Sequence, residues 1–140
     1  MKKRSATAIW NGSGKEGKGQ ISSESGALKN INYAYTNRFE DTPGSNPEEL
    51  VAAAHAGCFS MKLSFNLTKA GHVPDSIETK CVISFDPAKG EITESRLTVK
   101  VKAPGIDNAK FQELVKDAEK NCPISKLLNT SIVSEATLSN

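Results

Sequence analysis

The sequence lacks any long apolar run: no stretch approaches the roughly 20 residues that a membrane-spanning helix needs. Only 6% of its 140 residues are aromatic, and they do not alternate with basic residues, which argues against a surface for stacking nucleic-acid bases. The basic cluster at residues 2–4 is followed by small and polar residues, not by the apolar segment of a signal peptide. With a net charge of +2, the sequence predicts a cytoplasmic protein that binds neither membranes nor nucleic acid.

Motifs for phosphate binding, for hydrolytic serines and for metals are also missing. The sequence contains no Walker A motif and no Gly-x-Ser-x-Gly motif. Its histidines and cysteines form no Cys-x-x-Cys or His-x-x-x-His pair, although His55 and Cys58 have a spacing that would suit two ligands on one helix face. We therefore expect no cofactor and no metal, and we interpret His55 as a packed or interface side chain more readily than as an acid or base.

The first part of the chain is predicted to contain three short strands, over residues 7–11, 18–23 and 30–35. Turns rich in glycine and serine separate them. A loop is expected from residue 36 to residue 46. This segment is too polar to form a core alone, so we expect it to add to another sheet or to cover a partner.

A long helix is predicted to begin after Asn46. Asn46 is a favourable N-cap, Pro47 suits the first helical position, and Glu49 can close a capping box. Gly71 and Pro74 are expected to end the helix. Four apolar residues recur at helical spacing and are expected to form its apolar face: Leu50, Ala54, Met61 and Phe65.

The rest of the chain alternates between strands and helices. Two long strands are predicted over residues 77–85 and 92–102, followed by a helix that Asp107 caps. A short helix begins at Pro123, and a final strand covers residues 131–138. This order of elements is typical of the α+β class, and the length indicates one domain over the whole chain.

Two cysteines in unlike settings carry the functional signal. Cys58 is predicted to lie buried in the middle of the long helix, whereas Cys122 stands at a helix start, where N–H groups and the helix dipole stabilise a thiolate. A cysteine that is oxidised to a sulfenic acid, and a second thiol that condenses with it, would together perform thiol peroxidase chemistry. Each is also explained as a packed cysteine, and the sequence does not show whether the two are close. Cys81, on the apolar face of a strand, is interpreted as inert packing.

A cysteine in the middle of a helix gains nothing from the N-terminus of that helix, so Cys58 needs another device to lower its pKa. Arg38, in the upstream loop, could supply a positive charge. Glu48, in the first turn of the long helix, could hold Arg38 through a bidentate pair. A solvated arginine and an ordinary first-turn acid are the alternative, and the spacing leaves both interpretations open.

Several segments together resemble the OsmC/Ohr family of thiol-dependent peroxidases. The resemblance is carried by residues 46–61, which include Cys58, and by residues 121–125, which include Cys122. It extends over nearly the whole chain, and Arg38 and His55 favour the OsmC branch of the family.

The resemblance implies both a fold and a set of residue roles. It implies an intertwined homodimer in which antiparallel sheets wrap the long central helix and both active sites lie at the interface. Cys58 would be the peroxidatic nucleophile and Cys122 the resolving thiol. Arg38 would stabilise the thiolate and the peroxide, and Glu48 would orient Arg38.

The resemblance also implies a substrate class and a reductant. The expected activity is reduction of organic hydroperoxides, with weaker reduction of hydrogen peroxide, followed by recycling by a dithiol such as a lipoyl group on a carrier protein. Phe39, Phe59 and Met61 are expected to line an apolar substrate pocket. A non-catalytic binding module or a redox sensor of the same fold is the alternative, although a sensor would need an interaction element and the sequence contains no helix-turn-helix.

Overall fold

The computed structural model describes residues 1–139, which form an α+β fold of two small sheets and helices. The chain divides into two compact units, one from Met1 to Leu50 and one from Val51 onwards. None of the helices described is both long enough and apolar enough to cross a membrane. In chain order, the elements are β1 (Ala6–Asn11), β2 (Lys18–Ser23), β3 (Ile31–Tyr33), α1 (Tyr35–Phe39), α2 (Pro47–Lys69), β4 (Ser76–Asp86), β5 (Glu91–Lys102), α3 (Asn108–Asn121), α4 (Pro123–Leu127) and β6 (Ser131–Ser139).

The first unit contains a three-stranded antiparallel sheet in the order β1-β2-β3. Trp10 packs against Tyr33 across this sheet, with ring centroids 5.4 Å apart, and its indole N–H points to the carbonyl oxygens of Gly12 and Ser13. No residue of this unit belongs to the buried apolar core. This agrees with the prediction that the segment is too polar to form a core by itself.

The glycines between β1 and β2 serve a tight turn. Gly12, Gly14 and Gly17 have the spacing of a dinucleotide-binding fingerprint. That motif places the N-terminus of a helix against the phosphates, whereas this turn joins two antiparallel strands. Gly12 has a φ of 101°, and a Cβ on Gly17 would lie 2.5 Å from the carbonyl oxygens of Asn11 and Ser13. The turn therefore requires glycine at positions 12 and 17, whereas a Cβ on Gly14 would meet open space.

The prediction of a continuous loop over residues 36–46 is wrong at its start, where α1 forms one short helix. Tyr35 and Phe39 stack across a single turn of α1, with ring centroids 4.6 Å apart. Aromatic side chains four positions apart lie on the same helix face and can support a helix this short.

The long helix α2 begins and ends where its capping residues predict. At the start, Asn46 Oδ1 accepts a hydrogen bond from the N–H of Glu49 at 2.7 Å. At the end, Gly71 has a φ of 88°, and its N–H donates to the carbonyl oxygen of Thr68. The N–H of the next residue, His72, donates to the carbonyl oxygen of Leu67, which completes a Schellman motif.

The buried face of α2 is not the one that the apolar spacing predicts. Met61 and Phe65, which the sequence assigns to the apolar face, each expose 65% of their surface. Two rows of residues on α2 recur at helical spacing, and packing in the second unit decides which row is buried. The row that is buried consists of His55, Phe59, Leu63 and Leu67.

The second unit contains a mixed sheet in the order β4-β5-β6. β4 and β5 are antiparallel, but β6 runs parallel to β5, so the prediction of purely antiparallel sheets is wrong for this strand. α3 and α4 lie between β5 and β6 in the chain and provide the crossover that a parallel pair requires. Asp107 caps α3 as predicted, by accepting the N–H of Lys110 at 2.9 Å. The apolar core of this unit includes Phe59, Leu63, Leu67, Leu97, Val99, Val101, Phe111 and Val115.

Candidate active site

Cys58 and Cys122 are neighbours in the second unit. Cys58 is half-buried in the middle of α2, whereas Cys122 is fully buried between α3 and α4. The Cys122 side chain raises the pKa of Cys58 in two ways, through a hydrogen bond and through the charge of its thiolate form. The packing of this unit therefore brings together two free thiols that lie far apart in the sequence.

The start of α4 directs one backbone N–H to each of these sulfurs. The N–H of Ile124 forms a hydrogen bond with Cys58, and the N–H of Ser125 donates to Cys122 Sγ at 3.3 Å. N–H groups in the first turn of a helix lack partners within the helix and favour negative charge. The help that Cys58 receives therefore comes from the start of a different helix, α4, and not from the helix that contains it.

These contacts do not activate Cys58 by themselves. Burial raises the pKa of the Cys58 thiol, the N–H of Ile124 lowers it, and the hydrogen bond and charge of Cys122 raise it further. The pKa remains above its ordinary value. The thiolate is the reactive form of a cysteine, and the groups that act on Cys58 here do not on balance favour it.

Arg38 and Glu48 form the expected ion pair in the first unit. Arg38 Nε donates to Glu48 Oε1 at 2.8 Å, and the guanidinium carbon lies 5.4 Å from the centroid of the Phe39 ring. The Glu48 side chain is only 11% exposed, whereas that of Arg38 is 40% exposed. A largely buried carboxylate thus orients a guanidinium that solutes can still reach.

Arg38 and Phe39 also line a cleft of about 440 Å³ in the first unit. Aromatic rings dominate its walls, and Lys15 adds a second cation. Apolar walls with a few polar groups are typical of sites for small ligands. The aromatic residues of the cleft are Trp10, Tyr33, Tyr35 and Phe39.

The other two predicted substrate contacts differ in exposure. Met61 lies along an open groove on α2, between Ser60 and Ser64. Phe59 has no exposed surface and belongs to the apolar core. A side chain buried in this way lines no accessible pocket within the chain, so the structure does not support Phe59 as a substrate contact.

His55 is fully buried at the centre of a chain of hydrogen bonds. Its Nδ1 lies 2.6 Å from Ser95 Oγ, and its Nε2 lies 2.8 Å from Ser125 Oγ. Ser125 Oγ is in turn 3.1 Å from Cys122 Sγ, and Ser95 Oγ is 3.3 Å from Cys81 Sγ. His55 is thus packed, as predicted, but both of its ring nitrogens face serines that contact cysteines.

Sequence reasoning did not identify Ser95 or Ser125. A serine in a strand or in a short helix has no spacing that marks it as functional, and only the fold brings these two to opposite sides of one imidazole. Burial lowers the pKa of His55, so the ring is neutral, with one donor nitrogen and one acceptor. Cys81 is half-buried, and burial raises the pKa of its thiol while the hydrogen bond with Ser95 lowers it.

A metal centre has no support in the part of the chain that the structure describes. Within residues 1–139, no group of three or more histidine, cysteine or acidic side chains is arranged to hold a metal ion. His55 also has both ring nitrogens engaged by serine hydroxyls.

Both the sequence and the fold of this chain are similar to those of known proteins. Residues 39–137 match the family model described as OsmC-like protein. The chain is 43% identical over 133 residues to peroxiredoxin OsmC of Escherichia coli (strain K12), which covers 94% of this chain and 93% of that protein.

The chain is also similar to an organic hydroperoxide resistance protein, both in sequence and in fold. The chain is 33% identical over 109 residues to organic hydroperoxide resistance protein OhrB of Bacillus subtilis (strain 168), with coverage of 77% of this chain and 79% of that protein. The crystal structure of OhrB of Bacillus subtilis superimposes with a TM-score of 0.63 at 28% identity, over 96% of this chain and 98% of that one.

Proposed function

Because this chain belongs to the OsmC-like protein family and is a cysteine-based peroxidase, we propose that it reduces organic hydroperoxides through Cys58, with Cys122 as the resolving thiol. The observation that carries this proposal is the contact between the two thiols beside the start of α4. The names of the relatives, a peroxiredoxin and an organic hydroperoxide resistance protein, support a peroxide-related redox function.

The proposed cycle has three steps. The Cys58 thiolate attacks the distal oxygen of the hydroperoxide, the O–O bond breaks, and the product alcohol leaves with a proton. Cys58 is then a sulfenic acid, and Cys122 condenses with it to form a disulfide and water. A dithiol reopens the disulfide by exchange and returns both thiols to the reduced state.

Arg38 is the group that we assign to activation of Cys58. The pKa of Cys58 is raised by burial and by Cys122, and a nearby positive charge is the device that lowers a thiol pKa. Glu48 holds the Arg38 Nε at 2.8 Å, so the guanidinium has a defined direction. The cleft that Arg38 shares with Phe39 is where we propose that the peroxide binds.

We further propose that the whole chain is one domain and that it works as a homodimer with active sites at the interface. The alignment with the Escherichia coli relative runs through both units. Met61 and Phe65 present a largely exposed apolar surface on α2, and the first unit contributes no residue to the buried core. Coverage by a second copy of the chain would remove these apolar groups from water.

A cytoplasmic dithiol is the reductant that fits the proposal. Cellular reductants keep thiols reduced in that compartment. Exchange with a dithiol, such as a lipoyl group on a carrier protein, would return Cys58 and Cys122 to the reduced state without an enzyme-bound cofactor.

The first test is multiple turnover by the unmodified protein. We expect continued consumption of cumene hydroperoxide in the presence of dithiothreitol, and slower consumption of hydrogen peroxide, because the aromatic cleft favours an apolar peroxide. The measurement is peroxide loss over time at substoichiometric protein. A protein with reduced thiols that consumes no peroxide would instead be a binding module, and one that reacts only once per chain would be a redox sensor.

Replacing Arg38 with alanine is expected to raise the apparent pKa of Cys58 and to slow its alkylation at neutral pH about tenfold or more, because the activating charge is lost. The measurement is the rate of Cys58 alkylation by iodoacetamide across pH, with the modified residue identified by mass spectrometry. The alkylation rate of Arg38→Lys should lie between the rates of the unmodified protein and of Arg38→Ala. Lysine keeps the charge but loses the planar group that Glu48 orients.

The matched control for this experiment is Arg96→Ala. Arg96, on β5 in the second unit, also pairs with glutamates, Glu94 and Glu135, and its side chain is as exposed as that of Arg38. Its removal should leave the alkylation profile unchanged. The same profile in Arg38→Ala as in the unmodified protein would remove Arg38 from the active site.

A further inference from the structure

We propose that His55 is a positioning residue for the resolving step, and that it acts through Ser125 to set the direction of the Cys122 thiol. This inference rests on the function proposed above. It concerns the condensation of Cys122 with oxidised Cys58, and not the reaction of Cys58 with peroxide.

The first observation is that Ser125 contacts both Cys122 and His55. Its N–H donates to Cys122 Sγ at 3.3 Å, and its hydroxyl oxygen lies 3.1 Å from the same sulfur. That hydroxyl oxygen also lies 2.8 Å from His55 Nε2. Ser125 is buried, so water does not supply alternative partners. A hydroxyl has one proton to donate, so the bond to His55 decides what Ser125 can offer to Cys122.

The second observation is that His55 is held on its other side. Its Nδ1 lies 2.6 Å from Ser95 Oγ, and a neutral imidazole has one donor and one acceptor nitrogen. When Nδ1 donates to Ser95, Nε2 accepts the hydroxyl proton of Ser125, and the Ser125 oxygen then accepts the S–H of Cys122. When Nε2 carries the proton, the Ser125 hydroxyl donates to Cys122 instead. The ring nitrogen of His55 that carries the proton therefore sets the direction of the Cys122 S–H.

This direction matters for the chemistry of condensation. The Cys122 sulfur must present a lone pair to the sulfenic sulfur of Cys58. The S–S bond forms as the S–O bond breaks, Cys122 is oxidised while Cys58 is reduced, and the hydroxyl leaves with the Cys122 proton as water. Holding the S–H toward Ser125 leaves the lone pairs of the Cys122 sulfur free to face Cys58, its hydrogen-bond neighbour. A sulfur that rotates freely would present the lone pair only part of the time.

Two substitutions of His55 separate this role from packing. The amide of glutamine reaches the position of Nε2, so His55→Gln keeps a partner for Ser125. The amide of asparagine reaches only the position of Nδ1, so His55→Asn keeps the bond to Ser95 and loses the one to Ser125. We expect condensation to be about tenfold slower in His55→Asn, as for the loss of one buried hydrogen bond, and close to the unmodified rate in His55→Gln.

The experiment is a single turnover with one equivalent of cumene hydroperoxide, quenched at intervals. Dimedone labelling reports the sulfenic acid at Cys58, and peptide mapping reports the disulfide between Cys58 and Cys122. The first phase should have the same rate in all His55 variants. Ser125→Ala should slow the second phase as His55→Asn does, and the double variant should be no slower than Ser125→Ala, because His55 acts through that serine.

The outcomes decide whether His55 positions the Cys122 thiol or only packs in the core. Equal slowing in His55→Asn and His55→Gln, additive slowing in the double variant, or an unchanged second phase in His55→Asn would overturn the proposal. If circular dichroism shows that His55→Asn does not fold, the Ser125→Ala variant still tests the proposal. An unchanged second phase in Ser125→Ala would be enough to overturn it. An unmodified protein that forms no sulfenic acid at Cys58 would overturn the proposed function itself, which the first phase reports separately.

Discussion

Replacing Cys58 with serine is expected to lower hydroperoxide turnover by about a thousandfold or more, because the loss of a covalent nucleophile removes the whole reaction route. Serine differs from cysteine in one atom and fits the half-buried position in α2, so the fold should be preserved. Its hydroxyl cannot be oxidised to a sulfenic acid, and it has no thiolate to offer at neutral pH. No other thiol in the chain should take over this reaction.

The measurement is dithiothreitol-dependent consumption of cumene hydroperoxide by the variant and by the unmodified protein at equal concentration. Cys81→Ser is the matched control, since Cys81 is also half-buried but hydrogen bonds to Ser95 and not to Cys122. It should keep most of the activity. Normal turnover in Cys58→Ser, or an equal loss in Cys81→Ser, would contradict the assignment of Cys58.

Replacing Cys122 with serine is expected to change the fate of Cys58 and not its first reaction. Without a resolving thiol, the sulfenic acid of Cys58 persists and reacts with a second peroxide to give a sulfinic acid, which thiols do not reduce. One fast oxidation per chain should therefore be followed by inactivation. Serine can still form a hydrogen bond with Ser125, as Cys122 does, so the start of α4 should keep its structure.

Mass spectrometry of the intact protein after excess cumene hydroperoxide measures this result. Cys122→Ser should gain the mass of two oxygen atoms at Cys58, whereas the unmodified protein should lose two hydrogens as the disulfide forms. The double variant Cys58→Ser/Cys122→Ser should show neither mass change. This result would assign the added oxygen to Cys58. A Cys122→Ser protein that resists overoxidation would contradict the resolving role.

The boundaries of the main elements could be predicted because they depend on residues close together in the sequence. Asn46 caps α2 through an amide three positions later, and Gly71 ends the same helix through its own φ. Asp107 caps α3 in the same way. Such interactions are complete within one turn of chain, so residue identity is enough to predict them.

The orientation of α2 could not be predicted in the same way. Its sequence has one apolar row that contains Met61 and Phe65, and another that contains Phe59 and Leu63. The first is largely exposed in this chain, and the second lies in the core. Helical spacing identifies both rows equally well, and only packing within the second unit distinguishes them. The parallel pairing of β6 with β5 likewise depends on the path of the crossover.

By itself, the sequence determined the α+β class, the ends of the principal helices, the family resemblance and the residue types needed for thiol chemistry. Only the tertiary structure decided that Cys58 and Cys122 are neighbours, that Ile124 supplies Cys58 with an N–H, and that His55 joins Ser95 to Ser125. The physical reason is the range of the interactions. Caps and turns join neighbours in the chain, whereas the reactivity of a thiol depends on burial, charge and hydrogen bonds from elements that meet only when the core packs.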